Sequence, residues 1–118
     1  MLKFLYVGLG GALGAVLRYS FFFLPIASNK TIFINIIGAI VIGFVSFFSK
    51  NIRVLDQRLF LFLTTGLCGG FTTFSTFSLE TVQLIEKNEY FLALLYSLGT
   101  VMLSLIGIYI GYYLAKLF

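Results

Sequence analysis

One segment of the sequence combines glycine, hydroxyl and aromatic residues in a pattern that could bind ions. It includes the adjacent glycines Gly69 and Gly70, followed by five hydroxyl residues within seven positions: Thr72, Thr73, Ser75, Thr76 and Ser78. Such residues loosen a helix, and a break in lipid is tolerated only inside protein or beside a water-filled path. Freed carbonyls can then coordinate a cation, and freed amides attract anions. The alternative is a continuous helix packed through Gly66 and Gly70, and these residues leave both possibilities open.

Two phenylalanines in the same segment could interact with an anion. Phe74 and Phe77 are three residues apart and therefore share one face of a helix. The edges of aromatic rings are electropositive, so two edges turned inward could line an anion path without a formal charge. A fixed cation would hold a small anion too tightly for fast passage. Ordinary core packing is the competing interpretation.

Polar side chains recur at helical spacing in two other segments. The first stripe contains Asn35, whose amide needs a partner in hydrocarbon and therefore either bonds another helix or faces water; its members are Thr31, Asn35, Gly38, Ala39, Ile42 and Ser46. The second row is Tyr96, Thr100 and Ser104, with Gly107 and Gly111 on the same face. Its hydroxyls could replace the hydration waters of an ion one at a time, or they could bond their own helix in a packed interface.

Two charged residues lie near the ends of apolar segments. Arg18 follows a glycine- and alanine-rich stretch, and Glu80 ends the segment of hydroxyl residues. Because a charge in lipid is costly, an intramembrane arginine or glutamate is a functional candidate. Both side chains could instead reach the membrane interface.

The elements that position these residues are four apolar segments. Each is long enough for a membrane-spanning helix, which needs about 20 residues; they cover residues 4–24, 31–48, 59–85 and 90–114. Short polar connections separate them, so we expect one domain over residues 1–118. The sequence therefore predicts an all-α integral membrane protein in the inner or plasma membrane.

Composition supports this class and argues against several others. Hydrophobic residues make up 60% of the chain and charged residues 10%, whereas soluble domains carry roughly 25% charged residues. There is no histidine, one cysteine and no clustered basic face, which argues against zinc, haem and Ser-His-Asp chemistry and against nucleic-acid binding. We expect a protein that is not an enzyme.

The distribution of basic residues gives a modest orientation signal. Four spans place both termini on one side, with Lys3, Lys50, Arg53, Arg58 and Lys116. The other side has Lys30 and Lys87, and Arg18 lies near it. The positive-inside rule favours cytoplasmic termini, and so small an excess is also compatible with insertion in both orientations.

Taken together, four stretches resemble the Fluc/CrcB family of dual-topology fluoride channels. They cover residues 10–19, 31–38 and 66–80 and the row Tyr96, Thr100 and Ser104. The resemblance implies an antiparallel homodimer with two fluoride pathways that conduct passively and export fluoride. It implies pathway roles for Asn35, Phe74, Phe77, Tyr96, Thr100 and Ser104. It also implies a structural Na⁺ at the dimer interface, held by the backbone carbonyls of Gly69 and Thr72, and it matches Arg18 and Glu80 to charged positions.

Two other functions would fit a short four-span chain. A small multidrug-type proton-coupled exporter is the main alternative, but that chemistry needs a membrane-embedded carboxylate, and Glu80 lies towards the end of a span. A non-transporting assembly subunit would use the polar stripes only for packing. The resemblance favours a fluoride channel over both.

Overall fold

The computed structural model describes residues 1–25 and 29–118, which form helices and no strand. The α-helices are α1 (Leu2–Phe21), α2 (Lys30–Phe47), α3 (Gln57–Leu61), α4 (Gly69–Phe71), α5 (Phe74–Glu86) and α6 (Tyr90–Lys116). Two π-helical segments, Phe48–Ile52 and Phe62–Cys68, extend α2 and join α3 to α4. Four stretches are long and apolar enough to cross a membrane: Leu2–Phe21, Lys30–Ile52, Gln57–Glu86 and Tyr90–Lys116. The prediction of four spanning helices is confirmed.

The second span is longer than the sequence indicated. It was expected to end near Phe48, but helical structure continues to Ile52. The amide of Arg53 bonds the carbonyl of Phe48 at 2.8 Å, and Asn51 Nδ2 donates to the carbonyl of Phe47 at 3.3 Å. These bonds close the wide last turn, so polar residues that resemble a linker in sequence are part of the helix end.

Close glycine contacts hold α1 against the first half of the third span, residues 57–71. A Cβ on Gly10 would lie 2.5 Å from the carbonyl oxygen of Phe62, and one on Gly70 would lie 3.0 Å from the Cα of Gly11. Gly66 is equally close to Gly10. Backbones can approach this closely only without side chains, so Gly66 and Gly70 do pack against α1, as the continuous-helix alternative proposed.

The helices α2 and α6 form the second close pair. They run in the same direction, because Gly107 faces Ile36 and Ala39, while Gly111 faces Ile40 and Gly43 further along both helices. The helices therefore form two pairs: α1 with the third span, and α2 with α6. A space lies between the pairs, and residues of α2, the third span and α6 line it.

The third span is broken in its middle. Thr72 (φ −79°, ψ 159°) and Thr73 (φ −148°, ψ 117°) have extended backbones between α4 and α5. The adjacent glycines, which suggested the break in the sequence, are themselves helical and belong to α4. The break therefore lies three residues beyond Gly69, at two threonines.

Candidate ion pathway

A cavity of about 800 Å³ lies between α2, the third span and α6. Its polar lining residues are Asn35, Ser46, Thr64, Thr65, Thr72, Thr73, Thr100 and Ser104, and its aromatic lining residues are Phe60, Phe74 and Phe77. None of the lining residues carries a formal charge. The cavity therefore offers an ion dipoles and ring edges instead of a fixed charge.

Asn35 joins α2 to the break. Its Oδ1 accepts from the backbone N–H of Thr73 at 2.9 Å, and its Nδ2 donates to the carbonyl of Thr73 at 3.2 Å. Of the two roles that the sequence left open, bonding another helix is the one observed, while the side chain also lines the cavity. Because both bonds fix the carboxamide, one N–H of Nδ2 remains for a further acceptor.

Thr73 also begins the second half of the span. Its hydroxyl accepts from the backbone N–H of Thr76 at 3.1 Å and caps α5. A helix N-terminus carries a partial positive charge from its unpaired amides. Since Thr73 and Phe74 line the cavity, this end of the α5 dipole is directed at it and favours negative charge there.

The break leaves the last four carbonyls before it without their helical donors, and those of Gly69 and Thr72 are two of the four. In a continuous helix the carbonyl of Gly69 would accept from the N–H of Thr73, and that of Thr72 from the N–H of Thr76. Here the first N–H donates to Asn35 Oδ1 and the second to the hydroxyl of Thr73. The carbonyls of Gly69 and Thr72 thus fit the expectation of oxygen ligands for a cation, because their usual donors are engaged elsewhere.

Three aromatic rings follow one another, of which Phe74 and Phe77 line the cavity, whereas Tyr96, which was predicted for the pathway, is not among its lining residues. The ring centroids of Phe74 and Phe77 are 5.7 Å apart at an interplanar angle of 51°, and those of Phe77 and Tyr96 are 5.4 Å apart at 41°. Phe77 is buried, whereas Phe74 is 78% exposed. The two phenylalanines that share a face in the sequence are therefore neighbours in space, but only Phe77 is covered by its own chain.

Two of the three hydroxyl residues in the row on α6 face the same space. Thr100 and Ser104 line the cavity. The hydroxyl of Thr100 is buried and has no hydrogen-bond partner among the described residues. It does not form the bond to its own helix that the packing interpretation requires, as Thr64 does with the carbonyl of Phe60.

Of the two charged candidates, Glu80 is connected to this row and Arg18 is not. Glu80 Oε1 accepts from the hydroxyl of Tyr96 at 3.0 Å, and Oε2 accepts from Asn29 Nδ2 at 3.3 Å. Glu80 thereby ties the second half of the third span to α6 and to the start of α2. Arg18 lies in the last turn of α1 and is not among the residues that line the cavity.

Sequence reasoning assigned no individual role to two residues that matter here. Thr73 was noted only as one of several hydroxyl residues, although a threonine directly before a helical segment is a typical N-cap. Thr65 lies on the cavity wall in the first half of the span. The available signal was its spacing: Thr65 is four residues before Gly69 and therefore lies on the same face of a helix.

The fold and the cavity define a class of protein: a polytopic helical membrane protein with an uncharged polar path beside a broken helix. The chain matches the family described as CrcB-like protein, Camphor Resistance (CrcB), over residues 5–112. It therefore belongs to the CrcB family, in agreement with the resemblance found in the sequence.

Curated relatives are similar over nearly the whole chain, and three of them bear the name fluoride-specific ion channel FluC. The protein from Helicobacter pylori (strain G27) is 42% identical, with 98% of this chain and 94% of the relative covered. The protein from Helicobacter acinonychis (strain Sheeba) is 41% identical, with 99% and 98% covered. The protein from Clostridium novyi (strain NT) is 41% identical, with 94% and 91% covered.

Proposed function

We propose that this protein is a fluoride-selective channel that conducts fluoride passively out of the cytoplasm and so lowers fluoride toxicity. The observation that carries the proposal is the uncharged cavity that contains Asn35, Phe74, Phe77, Thr100 and Ser104. The names and high coverage of the relatives support it. Among the lining groups, the hydroxyls, the amide of Asn35 and the phenylalanine rings offer partial positive charge, and these suit a small anion.

Fluoride selectivity follows from the size and hydration of the ion. Fluoride is small and strongly hydrated, so a path must replace its water molecules with hydrogen-bond donors. The hydroxyls of Thr100 and Ser104 and the remaining N–H of Asn35 are such donors, and the start of α5 adds a favourable dipole. A path narrow enough for these groups to surround fluoride excludes the larger chloride.

The proton-coupled exporter is less well supported. Such an exporter would need a carboxylate in the substrate path, and the cavity lining contains none. Glu80 instead accepts hydrogen bonds from Tyr96 and Asn29. Passive conduction is the simpler mechanism for a path of neutral groups.

We propose that the working form is an antiparallel homodimer with two pathways. One wall of the cavity is incomplete in a single chain, because Phe74 lines the cavity and is nevertheless 78% exposed. A second copy in the opposite orientation would cover this ring and close the path. The small excess of basic residues on the terminal side permits both orientations.

We also propose that Na⁺ binds at the break and holds the two copies together. Unwound backbone carbonyls in membrane helices coordinate Na⁺, and the carbonyls of Gly69 and Thr72 are released from their helical donors. Their position beside the incomplete wall of the cavity suits a shared interface. The role of the ion in this proposal is structural.

Efflux from reconstituted liposomes tests the proposed function. Purified protein in liposomes loaded with potassium fluoride should release fluoride, measured with a fluoride electrode, when valinomycin balances the charge. Release should continue when an uncoupler removes any proton gradient, and chloride-loaded liposomes should retain their ion. If the folded, dimeric protein gives no fluoride release, the channel function is excluded; if release stops when the gradient is removed, the exporter is the better description.

A further inference from the structure

Asn35 makes a double contact with the break in the third span. It bonds both groups of the Thr73 backbone, the N–H through Oδ1 at 2.9 Å and the carbonyl through Nδ2 at 3.2 Å. The contact spans 38 residues of sequence and joins α2 to the point where α5 begins. The exposed fraction of Thr73 is 5% and both bonds are partly buried, so their loss would leave poorly solvated polar groups and be costly.

This double contact engages the Thr73 N–H, which is one of the groups that a continuous helix would pair. The Thr73 N–H would otherwise donate to the carbonyl of Gly69 and continue the helix. By accepting from that N–H, Asn35 takes away the donor of the Gly69 carbonyl. It also holds Thr73 where its hydroxyl caps the N–H of Thr76, and this removes the helical donor of the Thr72 carbonyl.

We propose that Asn35 is a positioning residue that creates the backbone cation site, and that it thereby couples this site to the anion pathway. The inference rests on the proposed function and extends it to the origin of the site. The carboxamide of Asn35 keeps the carbonyl of Gly69 available for a cation. Its remaining N–H can donate a hydrogen bond to an anion in the cavity. Asn35 thus lines the anion path itself, and its bonds to Thr73 connect it to the proposed cation site.

Two substitutions of Asn35 separate its effect on the cation site from its effect on the anion pathway. Asn35→Leu removes the acceptor and the donor, so the N–H of Thr73 is released to the carbonyl of Gly69. Asn35→Asp keeps an oxygen that accepts from the N–H of Thr73 but places a negative charge in the anion path. The leucine variant should lose both the sodium response and fluoride flux, whereas the aspartate variant should lose flux and keep the sodium response.

The sodium response can be measured without any transport. The thermal midpoint of the detergent-solubilised dimer is followed as NaCl replaces N-methyl-D-glucamine chloride at constant ionic strength, since a ligand of the folded state raises the midpoint. Wild type and Asn35→Asp should be stabilised at similar sodium concentrations. Asn35→Leu should need roughly tenfold more sodium or show no stabilisation, as is usual when a residue that orients metal ligands is removed.

A matched control is Thr81→Val, because the hydroxyl of Thr81 only bonds the carbonyl of Phe77 in its own helix. It should respond to sodium as wild type does. If Asn35→Leu does not assemble, Asn35→Ser replaces it, since its hydroxyl is one bond closer to the backbone than Oδ1 of Asn35 and does not reach the N–H of Thr73. A wild-type sodium response in the leucine or serine variant overturns the inference even when wild-type liposomes conduct fluoride. Absence of fluoride flux in wild type instead refutes the proposed function.

Discussion

Phe74 and Phe77 are neighbours that face different surroundings. Their ring centroids are 5.7 Å apart, yet Phe74 is 78% exposed and Phe77 is 9% exposed. Phe77 also lies against Tyr96 at 5.4 Å. One ring is therefore part of the interior of the chain, and the other is presented to whatever covers the cavity.

This difference predicts different outcomes for the same substitution. Both Phe74→Ile and Phe77→Ile should reduce fluoride flux, because each removes a ring edge from the path, and dimers should still assemble. Phe77→Ile should also lower the free energy of unfolding by roughly 1–2 kcal/mol through lost packing. Fluoride-electrode efflux and thermal unfolding of the same preparations measure both effects. Wild-type flux in both variants would show that the rings only pack.

The buried hydroxyl of Thr100 predicts a substitution that lowers fluoride flux without lowering stability. It is 4% exposed and has no hydrogen-bond partner among the described residues, and burial of an unpaired hydroxyl is unfavourable. Thr100→Val should keep the free energy of unfolding at least at the wild-type value, with a gain of up to about 1 kcal/mol. It should nevertheless lower fluoride flux, because a donor in the path is lost.

The same two measurements on Ser97→Ala provide the control. Ser97 is in α6, but its hydroxyl donates to the carbonyl of Leu94 in the same helix, and it is not part of the cavity lining. Its flux should equal that of wild type. A marked loss of stability in Thr100→Val would mean that the hydroxyl has a partner in the assembled protein and would count against its role as a free donor.

The hydrogen bond between Tyr96 and Glu80 predicts an effect on stability. Tyr96→Phe keeps the ring against Phe77 but loses the 3.0 Å hydrogen bond to Oε1 of Glu80. Hydrogen bonds to charged groups contribute roughly 1.5–3 kcal/mol, so thermal unfolding should detect the change. Glu80→Gln retains an oxygen that can accept from Tyr96 and should destabilise less. Unchanged stability of Tyr96→Phe together with destabilisation by Glu80→Gln would show that the charge of Glu80, and not this bond, is what matters.

The sequence identified the segment that breaks but not the position of the break. Glycine and hydroxyl content between residues 64 and 80 indicated a weak helix, because both loosen helical structure. The break nevertheless lies at Thr72 and Thr73, since the partner that stabilises it is Asn35, which is 38 residues away. No window of local sequence contains that information.

The site was predictable where spacing determines which residues share a face. Helical periodicity placed six residues on one stripe, and all of them except Thr31 line the cavity: Asn35, Gly38, Ala39, Ile42 and Ser46. Exposure and pairing were less predictable, because they depend on contacts between helices. The high exposure of Phe74 and the bonds of Glu80 to Tyr96 and Asn29 are of this kind.

The glycines of α1 lead to a prediction about folding that is independent of transport. A Cβ added at Gly10 would lie 2.5 Å from the carbonyl oxygen of Phe62 and 2.9 Å from the backbone nitrogen of Leu67, whereas one added at Gly8 would meet nothing within 4 Å. Gly10→Ala must therefore push α1 away from the third span, and such overpacking typically costs roughly 1–3 kcal/mol. Gly8→Ala should be neutral or stabilise by up to about 1 kcal/mol, because alanine favours a helix over glycine. Thermal unfolding of the two variants compares the same chemical change two residues apart on one helix. If they unfold alike, the close approach of α1 to the third span would not be needed to hold the broken helix in place.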